Sequence, residues 1–191
     1  GKGGFGEVYK VRELSTGIAY AMKVEHSFGK ELKMEGEVLK ILQGKPQFCQ
    51  LKSCGTNKIC NYLVMDMKGE NLHTIQKRMP DKKFTVATAL RVGLQMMRAL
   101  EVLHRAGFVH RDVKPANIAI GRYQDTTKII YLLDFGLARR FLDERGNIRT
   151  VRQMPGFRGT KQFASLNAHI GLELRPIDDI FSVLFSMIYT V

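Results

Sequence analysis

The chain has 191 residues, 45% of them hydrophobic, which is enough for one large or two small lobes around a core. Its formal net charge of +12 calls for an anionic partner; because lysine and arginine are scattered, with no aromatic-interleaved basic tract, an acidic or phosphorylated protein is expected rather than nucleic acid. No run approaches the roughly 20 apolar residues of a membrane helix, and Cys49, Cys54 and Cys60, without a CxxC pair, suit reduced and buried thiols of a cytoplasmic or nuclear protein better than a zinc site.

Gly1-Lys2-Gly3-Gly4-Phe5-Gly6-Glu7-Val8 fits the pattern GxGxxGxV, in which Gly1, Gly3 and Gly6 let backbone amides approach phosphate without obstruction. A dinucleotide-binding unit has similar glycines but opens a helix, whereas Val8-Tyr9-Lys10-Val11 alternates and is β-prone. A two-stranded lid over a nucleotide is expected, against the blander alternative of a glycine-rich hairpin without chemistry. Ser15-Thr16-Gly17 predicts a turn, and 18–24 a returning strand carrying Tyr20-Ala21-Met22-Lys23. Lys23 can neutralise phosphate oxygens if an acid anchors it.

The spacing of Leu32, Leu39 and Leu42 predicts a helix over 31–42, on which Glu31 and Glu35 lie one turn apart as possible anchors. Strands are expected at 50–53 and 60–67, joined by the polar turn Gly55-Thr56-Asn57-Lys58. A short helix over 72–78 and the connector Pro80-Asp81-Lys82-Lys83 follow. Thr85 can cap a long helix running to Arg105. Its Val86, Leu90, Leu94, Met97 and Leu100 form one apolar stripe, widened by Met96, Ala99 and Leu103. So broadly apolar a helix is expected to be buried, its methionines serving as core filler.

The densest chemistry lies at His110-Arg111-Asp112, Lys114 and Asn117, followed by an apolar strand over 128–133 and then Asp134-Phe135-Gly136. Asp112 can orient a substrate hydroxyl and accept its proton, while Lys114 stabilises charge on a transferred phosphoryl group. Asn117 and Asp134 offer the oxygen ligands that Mg2+ prefers. Each short motif occurs by chance in other chains; their order and spacing together point to magnesium-assisted phosphoryl transfer.

These segments resemble the glycine-rich loop, lysine strand, catalytic loop and metal-binding turn of eukaryotic protein kinases. Gly159-Thr160-Lys161-Gln162-Phe163-Ala164-Ser165-Leu166-Asn167 resembles the casein kinase I superfamily. LKMEGEVLKILQGK, Phe157-Arg158-Gly159-Thr160 and Asn167-Ala168-His169 are similar to its tau-tubulin kinase branch. The resemblance covers essentially the whole chain. It implies an α+β, bilobal fold: a small β-rich N-lobe with one helix over 1–68 and a mainly helical C-lobe over 69–191. Both ends are expected to be truncated, since the chain opens inside the glycine loop and stops inside the helix that begins near Ile177.

The same resemblance implies ATP and Mg2+ as cofactors, and Glu35 as the anchor of Lys23. It places Met65 behind the adenine, the backbone of Asp66 to Lys68 along the purine edge, and Val8 and Ala21 above and Ala119 below the ring. Lys114 at its position implies serine and threonine acceptors. Thr160 is expected to hydrogen-bond near Asp112 and Lys114, and Asp179 to brace the catalytic loop. Activity without activation-loop phosphorylation is implied, with Thr150 a minor candidate for modification. Seven basic residues from Arg139 to Lys161 suit acidic or already phosphorylated protein substrates. Gln162 stands where the superfamily usually has an anion-binding arginine, which leaves dependence on a primed substrate open. A pseudokinase scaffold that binds proteins without turnover is the alternative reading.

Overall fold

The computed structural model describes residues 2, 3, 6–25, 30–57 and 59–191. Gly1 and Lys58, given roles above, lie outside the described residues. The first part of the chain is a five-stranded antiparallel sheet. It comprises β1 (Lys2–Gly3), β2 (Gly6–Arg12), β3 (Ala19–Glu25), β4 (Leu51–Thr56) and β5 (Asn61–Asp66), in the order β1-β2-β3-β5-β4. Val8 pairs with Lys23, and Lys23 with Leu63, so the lysine sits on a central strand. Because side chains alternate across a strand, Ala21 and Lys23 share one face. Helix α1 (Glu31–Ile41) crosses the sheet with Leu32, Gly36, Val38 and Leu39 buried. Glu35 is buried on the same helix.

Helices dominate from Leu72 onward: α2 (Leu72–Arg78), α3 (Val86–Arg105), the single turn α4 (Leu166–His169) and α5 (Pro176–Thr190). Asn71, Thr85 and Ser165 cap α2, α3 and α4 by accepting from the N–H three residues on, as short oxygen-bearing side chains do at helix starts. The paired strands β7 (Ile118–Ile120) and β8 (Ile130–Leu132), and β6 (Phe108–Val109) with β9 (Arg139–Arg140), frame the loops that carry the chemistry. One hydrophobic cluster runs through both halves. Phe48 links them: its ring lies 6.0 Å from Phe135, which in turn lies 5.2 Å from His110. No helix among the described residues is long and apolar enough to cross a membrane.

Three expectations are corrected. In α3, Val86, Leu90, Leu94 and Met97 are exposed, at 63, 57, 57 and 39%, and the buried positions are Ala89, Gly93, Met96, Ala99, Leu100 and Leu103. The inward face is turned about a quarter of a revolution from the stripe of largest apolar residues. It is selected by small residues that admit α5: the Met187 thioether of α5 lies over Gly93, where a Cβ would come within 2.3 Å of Sδ. Of the cysteines only Cys49 is buried, while Cys54 is exposed and Cys60 intermediate. Cys54 belongs to β4, an edge strand whose side chains are mostly uncovered. Gly55 and Thr56, read as turn residues, instead extend β4, and the turn falls beyond them, where Asn57 Oδ1 accepts from the N–H groups of Ile59 and Cys60.

Candidate active site

Between the sheet and the helical part lies a cavity of about 300 Å³. Its upper wall comes from Gly6, Val8, Ala21 and Lys23, its back from Glu35, Cys49 and Met65, and its edge from the segment 66–69. Ala116, Asn117, Leu133 and Asp134 close it below. The volume and mixed lining suit a small organic ligand with a few placed polar groups.

Lys23 Nζ lies 2.7 Å from Glu35 Oε2 and 2.7 Å from Asp134 Oδ1. Glu35, rather than Glu31, is therefore the carboxylate that reaches the lysine. Burial works against the Lys23 charge, but the Glu35 and Asp134 carboxylates outweigh it and raise the ammonium pKa. Burial raises the Glu35 carboxyl. Burial also acts upward on Asp134, yet Lys23 beside it holds that carboxyl below its ordinary value, so it faces the cavity ionised. Asp134 has a left-handed backbone, φ 64°, uncommon for a residue with a Cβ, at the turn that aims its side chain.

Asp112 and Lys114 do not line the cavity themselves; Asp112, nearly covered and heavily engaged, joins it through the lining residue Asn117. Thr160 Oγ1 donates to Asp112 Oδ1 at 2.7 Å, and Lys114 Nζ stands 2.8 Å from Oδ2. Lys114 Nζ also donates to Thr160 Oγ1 at 2.7 Å, closing a three-residue ring. Asn117 spends its Nδ2 on the Asp112 carbonyl, at 2.9 Å, and on Oδ2, at 3.1 Å. That leaves Asn117 Oδ1 as its acceptor on the cavity side. The ring depends on close backbone approach: Gly159 has φ +106°, and a Cβ there would come within 2.4 Å of the Arg111 carbonyl.

The loop carrying His110, Arg111 and Asp112 is held from beneath. Asp179 of α5 accepts from the His110 N–H and the Arg111 N–H, each at 2.8 Å, and lies 2.8 Å from His104 Nε2. Arg111, like Asp134, has a left-handed φ, here 69°. His110 Nδ1 accepts from the Asp112 N–H at 3.2 Å, which places the ring proton on Nε2 and toward the Leu133 carbonyl at 3.1 Å. His110 and Arg111 thus act on the shape of the loop.

Most of the residues singled out in the sequence meet here. Lys68 pairs with Asp66 at 2.6 Å, and its Nζ lies 3.7 Å above the Tyr131 ring; its backbone N–H, at the cavity edge, has no hydrogen bond among the described residues. Ala119 stands apart as well. Ala119 does not line the cavity; it is 1% exposed, pairs with Tyr131 and bridges to Asn71. Its methyl stays under the covering chain, and the longer Leu133 reaches the cavity instead. Gly3 pairs with Gly6 in the β1–β2 hairpin. Cys49, Ala116 and Leu133 were not anticipated. Leu133, immediately before Asp134, could have been placed from its neighbour, whereas nothing in the spacing marks Cys49.

The protein kinase domain model matches residues 1–183. Over 190 residues the chain is 40% identical to a Dictyostelium discoideum protein named as a probable serine/threonine-protein kinase, covering 98% of this chain and 38% of that protein. Over 191 residues it is 38% identical to a Caenorhabditis elegans protein named, provisionally, as a casein kinase I, covering 97% of this chain and 56% of that protein. The chain thus spans roughly two-fifths to three-fifths of the length of these relatives. The fold, the lysine held between two carboxylates and the catalytic loop agree with the family model on one conclusion: the chain belongs to the protein kinase family.

Proposed function

We propose that the chain carries the ATP site and catalytic loop of a serine/threonine protein kinase of casein kinase I type, similar to the tau-tubulin kinase branch. The observation that supports this most is Lys23 bridging Glu35 and Asp134 in a cavity whose Asn117 is hydrogen-bonded to Asp112, beside which Lys114 stands. Lys23 binds the nucleotide phosphates. Val8 and Ala21 cover the adenine, Met65 backs it, and the 66–68 backbone meets its edge. Asp112 receives the proton of the acceptor hydroxyl, and Lys114 faces the developing charge on the phosphoryl oxygens.

The donor set fits Mg2+. Asp134 has one carboxylate oxygen on Lys23 and a second to offer, and Asn117 is turned by Asp112 so that its amide oxygen is left over. With these two residues as its protein ligands, Mg2+ would complete its shell with phosphate oxygens and water, as it commonly does. When bound, Mg2+ neutralises charge on the phosphates.

Acidic or phosphorylated protein substrates are the preferred class. Of the seven basic residues between Arg139 and Lys161, Arg145, Arg149, Arg158 and Lys161 are exposed and form no ion pair among the described residues. The test is transfer of labelled γ-phosphate from ATP to casein by the full-length protein. Lys23→Met and Asp134→Ala are expected to lower it by about 100-fold or more, in line with the loss of positioned electrostatic groups. Transfer untouched by both substitutions refutes the proposal, and Mg2+-dependent ATP binding without any transfer supports the scaffold reading in its place.

A further inference from the structure

Three of the seven basic residues in the segment are matched inside the chain. Arg140 reaches Glu37 of α1 at 2.7 Å. Arg139 and Arg152 converge on one carboxylate, Glu173, in the loop between α4 and α5. Arg139 Nε lies 3.0 Å from Oε1, Arg152 Nε 2.7 Å from Oε2 and Arg152 Nη2 3.0 Å from Oε1. The Arg152 N–H adds a contact of 3.4 Å to Oε2. The Glu173 side chain is only 6% exposed. Arg111 stands close by, donating from Nε to the Leu137 carbonyl at 2.6 Å. Burial first, and then the charges of Arg152 and Arg139, push its pKa down to about 10.

A carboxylate receiving a forked arginine pair beside a third arginine does what a phosphate group does in such a nest: it cancels repulsion and fixes the elements that carry the charges. The elements here matter for catalysis. Arg139 follows the Asp134 turn, Arg152 lies in the segment leading to Gly159 and Thr160, and Glu173 is close in sequence to Asp179, which braces the catalytic loop. The other ties of the stretch 141–158 to the rest of the chain are the Phe141 and Leu142 N–H groups on the Gly107 carbonyl, at 2.8 and 3.4 Å, the Phe157 ring 5.6 Å from His169, and a 3.4 Å bond from Arg175 to the Arg149 carbonyl; its remaining bonds, around Asp143 and between Arg149 and Phe141, are internal.

We propose that Glu173 is a positioning residue that holds the 139–160 segment in its substrate-accepting shape through Arg139 and Arg152, supplying from within the chain the negative charge that phosphorylation would supply elsewhere. This rests on the kinase reading above. It gives a physical basis for activity without phosphorylation of the segment, and it separates Arg139 and Arg152 from the basic residues left for substrate.

The test uses the full-length protein with Glu173→Gln, which keeps the shape and removes the charge, and Glu173→Asp. Peptide KM, ATP KM and hydrogen exchange over 139–160 are measured with and without added sulfate. Glu173→Gln is expected to raise peptide KM about tenfold, the scale of one lost charge-assisted bond, with ATP KM within about twofold. Exchange over 141–158 accelerates, sulfate reverses both changes by filling the vacated arginines, and Glu173→Asp lies between wild type and Gln. Unchanged peptide KM and exchange overturn the proposal. So does a loss that sulfate does not restore, or one accompanied by faster exchange throughout the fold, because each marks a general packing role. If the wild-type protein transfers no phosphate, the kinase reading fails, while exchange and its reversal by sulfate still decide the role of Glu173.

Discussion

Replacing Asp179 by Asn tests how the catalytic loop is held. The side chain is 1% exposed, and each oxygen faces a backbone N–H at 2.8 Å, Oδ2 that of His110 and Oδ1 that of Arg111. Asparagine is nearly isosteric but has only one acceptor oxygen, so its amide NH2 must oppose one of the two donors. One buried N–H is then unsatisfied, at about 1–3 kcal/mol, and the remaining bond loses its charge assistance, at about 1 kcal/mol. The left-handed Arg111, itself a conformation costing of order 1–3 kcal/mol, loses part of what over-determines it. The expected destabilisation is about 2–4 kcal/mol, a large share of the 5–15 kcal/mol typical of a domain.

The assay is urea denaturation of the full-length protein, read as a midpoint shift at constant slope, with Asp125→Asn on the exposed surface as control. Turnover should fall even where the protein remains folded, because Arg111 and Asp112 share the loop. A loss below about 0.5 kcal/mol, the range of ordinary surface substitutions, refutes the view that Asp179 carries the loop.

Thr160→Val removes the hydroxyl that donates to Asp112 and accepts from Lys114, at 2.7 Å each, while keeping the shape. We expect kcat to fall about 10–100-fold with ATP KM nearly unchanged, and Thr160→Ser to recover most of the rate; equal losses in both variants would count against the ring. The neighbouring methionines of α3 test its inward face: Met96→Ala should cost about 2–5 kcal/mol in denaturation, and the 39% exposed Met97→Ala about 1 kcal/mol or less. Equal costs would return the buried face to the stripe of Leu90, Leu94 and Met97.

Much of the site was legible because its chemistry is local. Asp112, Lys114 and Asn117 lie within one short loop, and their mutual bonds span two to five positions, so residue type and spacing nearly determine the arrangement. Lys23 is different, since its partner Asp134 is 111 positions away. It could be placed because a phosphate-binding lysine on a strand needs an anchor, and resemblance chose Glu35 over Glu31. Periodicity alone could not make that choice, as both glutamates occupy one face of α1. Ala119 shows where the resemblance stops: its methyl, on β7, stays buried, and Leu133 lines the cavity instead.

The face of α3 and the role of Glu173 were hidden for a common physical reason. Large apolar residues report how much surface an element can bury, but the partner decides which surface it does bury, and α5 approaches the side offered by Ala89 and Gly93. Likewise, a count of arginines reports how much positive charge a segment carries and says nothing of how much is cancelled on folding. Arg152 meets Glu173 across 21 positions and Arg140 meets Glu37 across 103, through packing that no local pattern encodes. The number of basic residues in the segment therefore overstates the field a substrate meets near Thr160. The physically relevant subset is the part the fold leaves unpaired, Arg145, Arg149, Arg158 and Lys161, and it is there that a preference for acidic substrates has to be sought.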